Sequence, residues 1–165
     1  MGMGLGGSFR AASARRVALA LCGCFALLSW QAGKAAEPAA AAEAEGIIFE
    51  RQQIMTKLDQ DADKLGKVVA GLLPADQLAP AARAVAEGAR ESVEAFQQHV
   101  PGGRSKPEVW SNNADFTAKM EKFATSAEAM AKAAEAGDKG TVLNLMVDAL
   151  PCKECHDTYR EKKRP

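Results

Sequence analysis

Four stretches of the chain repeat apolar side chains three and four positions apart, the spacing of a helix with one buried face. The first carries Met55, Leu58, Ala62, Leu65, Val69 and Leu72 and ends at Leu73-Pro74. The second carries Ala82, Val85, Ala89, Val93 and Phe96 and stops before Pro101-Gly102-Gly103. The third carries Phe116, Met120, Phe123, Ala127, Met130 and Ala134, with Gly137 as its stop signal. The fourth carries Val142, Leu145, Ala149, Cys152, His156 and Tyr159. No useful length alternates with period two, so the pattern predicts an all-α fold. Amphipathic helices of about 20 to 27 residues with short links suit an antiparallel up-down-up-down four-helix bundle, whose inward faces build cofactor sites. The longest link runs from Val100 to Asn112, between the second and third helices.

The N-terminal segment follows a different rule. Residues 1–36 contain Arg10, Arg15, Arg16 and Lys34 and no acid, around an apolar run from Val17 to Leu28. The run is too short to span a bilayer and ends in small residues, which reads as a cleaved signal peptide and places the mature protein in the periplasm. Leu21-Cys22-Gly23-Cys24 resembles a lipid-attachment box, but the apolar run continues past it, against lipid anchoring. Residues 37–46, rich in alanine and glutamate, read as a flexible tether, and 47–165 as the folded domain.

Removing the signal changes two balances. The chain has 21 basic and 21 acidic residues; four of the bases lie in the signal, which leaves 17 against 21. A mildly acidic domain is not a nucleic-acid binder, and no stable membrane insertion is expected of it. Of the four cysteines, Cys22 and Cys24 leave with the signal, so only Cys152 and Cys155 remain.

Those two belong to Cys152-Lys153-Glu154-Cys155-His156, a C-x-x-C-H pentapeptide. This is the covalent haem-attachment signature: two thiols add across the two vinyl groups of one porphyrin, and the adjacent imidazole becomes the proximal iron ligand. One covalent haem c is the cofactor so implied. A dithiol redox centre would want a βαβ context, and structural zinc would need two further ligands. The only other histidine is His99, so a non-haem thiol or metal module remains as an alternative short of ligands. Pro151, immediately before Cys152, predicts a kink or a fresh helix start.

With these motifs in place, residues 47–163 resemble the class II c-type cytochromes, the cytochrome c′ family. The resemblance rests on the near-terminal C-x-x-C-H, on Arg51-Gln52, on Lys106-Pro107-Glu108-Val109-Trp110-Ser111, and on Asp157-Thr158-Tyr159-Arg160. It implies a haem-bearing four-helix bundle in which the position four after Arg51 faces the iron opposite His156. That position is Met55, whose thioether would complete a low-spin iron; spacing alone does not choose among Met55, Met120 and Met130, and the family match selects Met55. The resemblance also implies Arg51, with Gln52, near a haem propionate, and Arg160 over the proximal side; Trp110 is expected to pack the loop over the bundle.

The leading expectation is therefore a one-electron carrier with His156 and Met55 as axial ligands, not an enzyme. The alternative is a five-coordinate, high-spin protein that binds nitric oxide or carbon monoxide. Lys153, Arg160, Lys162, Lys163 and Arg164 give the C-terminus a basic character suited to a redox protein partner with an acidic docking surface. Family members also pair, so a homodimer is a further expectation.

Overall fold

The structure, a computed structural model, describes residues 25–150 and 152–162. It divides into two units, Met1–Ala41 and Ala42–Pro165. The basic part of the expected signal peptide, most of its apolar run, Pro151, Lys163 and Arg164 lie outside the described residues. The elements are α1 (Phe25–Val69), α2 (Leu78–Ala95), α3 (Glu108–Ser111), α4 (Asn113–Glu135), α5 (Lys139–Ala149) and α6 (Cys152–Tyr159), with a 3-10 turn at Ala75–Gln77 before α2.

Residues 37–46, expected as a flexible tether, are instead part of α1. Alanine is the strongest helix former, and this run is dominated by it, so low complexity here does not oppose helix formation. Pro38 sits inside that helix, where it removes one backbone donor.

From Ala42 onward the architecture is the four-helix bundle. Its main core draws Leu58, Leu65 and Val68 from α1, Leu78, Ala82, Val85 and Ala89 from α2, Ala127, Met130 and Ala134 from α4, and Val142 from α5. Burial of these stripes supplies the driving force, at roughly 25 cal/mol per Å² of apolar surface removed from water. The many alanines let backbones approach: a Cβ at Gly88 of α2 would lie 3.0 Å from Leu58 Cδ1 of α1. Val85, Ala89, Ala127 and Met130 are fully buried, as their spacing predicts.

Two stripes end earlier than periodicity suggests. Gly71 takes a positive φ of 76°, and the amides of Gly71 and Leu72 turn back to carbonyls of the last turn, at Val68 and Lys67. That glycine cap stops α1 and leaves Leu72, expected in the core, 74% exposed. The fourth stripe breaks into two helices. α5 starts on Asp138, whose carboxylate accepts from the Thr141 amide at 2.9 Å. It ends at Ala149, and α6 begins at Cys152, so the pentapeptide has a helix of its own.

Candidate functional site

α6 presents Cys152, Cys155 and His156 within little more than one turn. The thiols are three positions apart, close enough to share one face. Cys152 is exposed and Cys155 half-buried. Burial pushes both thiols above their ordinary range, and Lys119 partly offsets this at Cys155.

His156 is half-buried, and its pKa is lowered by desolvation first and then by Arg160 and Arg104. A neutral imidazole is the form that binds a metal. Arg160 NH1 lies 3.4 Å from Nδ1, and no described residue bonds Nε2, so Nε2 is the nitrogen available to iron.

Above α6 lies a second, smaller apolar cluster. Val109, Phe116, Met120 and Tyr159 are buried in it, and Met55, Val93, Phe96, Trp110 and Cys155 pack against it. Met55 of α1 and Cys155 of α6 thus border one set of side chains. Met55 also packs against the main core, and it alone belongs to both groups. Met130 lies wholly in the main core at 0% exposure, away from α6. Met120, on α4, is a buried member of the smaller cluster itself. Aromatic edges line the space: Phe96–Phe116 and Phe116–Tyr159 both meet edge-on with centroids 5.1 Å apart.

Tyr159 anchors α6 to α4. Its hydroxyl donates to the Asp115 carboxylate and accepts from Asn112 Nδ2 at 3.3 Å. Burial, then the hydrogen bond to Asp115, pushes its pKa up to about 12. Asp115 is in turn lowered by Tyr159 and by Lys119, whose ammonium lies 2.9 Å away. Nothing in the sequence pattern pointed to this pair, since its members are 44 positions apart.

Arg51, expected at a haem propionate, is occupied differently. It is 5% exposed, and its Nε donates to Ala95 O at 2.9 Å, NH1 to Val100 O at 2.6 Å and NH2 to Gln98 O at 2.6 Å. The guanidinium also lies over Phe96 and Trp110, 4.6 and 5.2 Å from their ring centroids. All three nitrogens are thus engaged in bracing the chain that leaves α2. Gln52 is exposed; its amide faces the Gly102-Gly103 turn, where Ile48 also packs closely. Trp110 closes over the loop by stacking on His99 at 4.9 Å, with its Nε1 buried and unpartnered.

The turn leads into a strap on α6 that the sequence did not reveal. Ser105 and Arg160 form an antiparallel bridge. The Glu161 amide donates to Arg104 O at 2.8 Å, and the Lys106 amide to Tyr159 O at 3.0 Å. Arg160 is exposed at the far side of this strap, one turn beyond His156.

The donor set suits a covalent porphyrin: two free thiols on one face, a neutral imidazole beside them and an apolar wall of Met and Phe. Among the described residues no three His, Cys, Asp or Glu side chains are placed to hold a bare metal ion. Two grooves of about 410 and 440 Å³ meet at His99 and Trp110, and neither is lined by α6.

Comparison with known proteins bears on this arrangement. The family model described as Cytochrome C' matches residues 46–160. A cytochrome c' of Alcaligenes xylosoxydans xylosoxydans is 30% identical over 125 residues, 74% of this chain and 98% of the relative. Cytochrome c-556 of Agrobacterium fabrum is 28% identical over 130 residues, 76% of this chain and 88% of the relative. Among solved structures, the nitric oxide complex of a point mutant of cytochrome c prime from Alcaligenes xylosoxidans superposes with a TM-score of 0.67 at 30% identity. That match covers 73% of this chain and 97% of the other.

Proposed function

This chain belongs to the cytochrome c′ family, whose cofactor is one covalent haem c, and from that premise we propose that it binds a small diatomic gas, nitric oxide foremost, on the haem face covered by Met55. The observation that carries the reading is the likeness, along nearly the whole length of the other chain, to a cytochrome c prime solved as a nitric oxide complex. It weighs toward the gas-binding alternative over the electron-carrier expectation drawn from the sequence.

A haem c held here would supply a redox-active iron able to take a ligand. The chain's own residues do the rest. Cys152 and Cys155 would hold the macrocycle by thioethers, and neutral His156 would ligate the iron. Tyr159 and the strap fix α6, and with it the imidazole. Arg51 braces the chain after α2, behind the aromatic wall. Met55, which borders the same cluster as Cys155, would act as a guard from α1: a soft thioether on a flexible stem able to yield to a strong ligand. No catalysis of its own is assigned. Export to the periplasm remains part of the proposal; among the described residues, no helix is long and apolar enough to cross a membrane.

A second reading is favoured by Met55 itself. A thioether that stays on the iron closes both axial positions and leaves a one-electron carrier. The visible spectrum separates the two. The proposal expects the reduced holoprotein to shift its absorption on addition of nitric oxide or carbon monoxide, and Met55→Leu to speed that binding. Met55→Leu keeps volume and hydrophobicity, at a cost in cores of under about 1.5 kcal/mol. A low-spin spectrum unmoved by saturating gas would reject the proposal and leave the electron carrier.

A further inference from the structure

The strap gathers cations that lie far apart in sequence. Arg104 Nε and NH2 donate to Glu161 O at 3.0 and 2.5 Å, and Lys106 Nζ donates to Asp157 O at 2.8 Å. Arg160 lies beside His156, and Lys162 follows it. Lys57, Lys67, Arg83, Lys119 and Lys153 all pair with carboxylates. Arg104, Lys106, Arg160 and Lys162 form no close ion pair with any described residue.

Carboxylates do face the group, but sparsely. Asp59 of α1 attracts Arg160; Asp157 pairs with Lys153 and more weakly attracts Lys162 and Lys106; Glu161 is exposed. The surrounding domain has the opposite sign: residues 47–103 and 107–151 together hold 15 acids against 10 bases. Two guanidiniums held near each other repel, and each lowers the other's preference for charge; Arg160 is shifted down by burial and then by Arg104. The fold keeps this unfavourable grouping beside His156.

We infer that Arg104, Lys106, Arg160 and Lys162 form the docking surface for a carboxylate-bearing redox protein that exchanges electrons with the haem across the His156 side. One electron passes from the reduced partner to ferric iron, leaving ferrous iron and a partner oxidised by one electron; no proton or atom moves. The inference rests on the haem reading but not on the identity of the sixth ligand, because either reading needs the iron reduced. Asp157 and Glu161 interleave with the cations, which suits a protein face with discrete carboxylates and opposes a uniformly anionic lipid surface. Complementary charge of this kind steers encounter and raises the association rate.

The test uses the reduced holoprotein and its Arg104→Glu and Lys162→Glu variants, with Lys132→Glu on exposed α4 as a control of equal charge change. Oxidation by anionic ferricyanide at low salt should slow about three- to tenfold in the two strap variants and much less in the control. Oxidation by a cationic cobalt tris-phenanthroline should quicken. Both differences should vanish near 1 M salt, where the screening length falls to about 3 Å. Poly-L-glutamate should slow the wild type and leave Arg104→Glu unaffected. Strap variants indistinguishable from Lys132→Glu overturn the inference. So does retention of the wild type on anionic lipid vesicles without competition by poly-L-glutamate. A shifted midpoint potential with an unchanged salt slope would place Arg104 against the haem carboxylates, and also overturns it. Purified protein without a haem absorption band would show separately that the cofactor reading had failed.

Discussion

Replacing Arg51 by methionine removes three hydrogen bonds and two cation–aromatic contacts at once, while keeping most of the side chain's length. Charge-assisted hydrogen bonds contribute about 1.5–3 kcal/mol each when fully shielded. Here the acceptors are carbonyls of Ala95, Gln98 and Val100 at a helix end, and water can replace part of what is lost. About 1 kcal/mol per bond is therefore the appropriate figure. The contacts to Phe96 and Trp110 add about 0.5–1 kcal/mol each. The expected loss is about 4 kcal/mol, a large share of the roughly 5–15 kcal/mol that holds a domain together. Urea unfolding of the holoprotein, followed by circular dichroism, should show a midpoint lower by about 2 M with an unchanged slope. Arg51→Lys keeps the charge but not the planar fork, and should lose about half as much. A loss under about 1 kcal/mol in Arg51→Met, or full recovery with lysine, would refute the brace. A large shift in midpoint potential with little loss of stability would return Arg51 to the haem propionate.

Tyr159 titrates at about 12, above its ordinary value of 10, so its contribution to stability is whole below pH 10 and is lost as pH rises through 12. It is the chain's only tyrosine, so difference absorbance near 295 nm should follow that single group, and Tyr159→Phe should flatten the fall in stability across this window. Asp138→Ala removes the cap of α5 and should cost about 1 kcal/mol in thermal or urea unfolding. Cys152→Ala with Cys155→Ala should release haem into acidic acetone, whereas the wild type should retain it.

The helical stripes were legible because burial selects side chains at fixed angular intervals, and Val85, Ala89 and Met130 lie where that rule puts them. The attachment pentapeptide was legible because its chemistry requires three groups adjacent in the chain. What escaped reading depends on partners without a side-chain signature. Arg51 binds carbonyls 44 to 49 positions away, and any residue can supply a carbonyl. Arg104 is brought near His156 by a strap whose bonds all end on main-chain carbonyls. Leu72 fits the stripe of α1 but lies beyond a glycine whose positive φ had already ended the helix. The alanine run at 37–46 shows the opposite error, where a composition typical of linkers is also the composition of a strong helix.

Met55 belongs to both apolar clusters, and that shared membership makes it a mechanical junction. A side chain confined to one cluster could swing aside with only its immediate neighbours rearranging. Met55 cannot leave the smaller cluster without also disturbing its packing against the main core. A push on Met55 from the smaller cluster is therefore registered along α1 and in the main core. The same junction works in reverse: a volume change in the main core alters how firmly the thioether is pressed toward the smaller cluster that Cys155 borders. If Met55 guards the haem as proposed, ligand response would be tunable from positions that never touch the ligand.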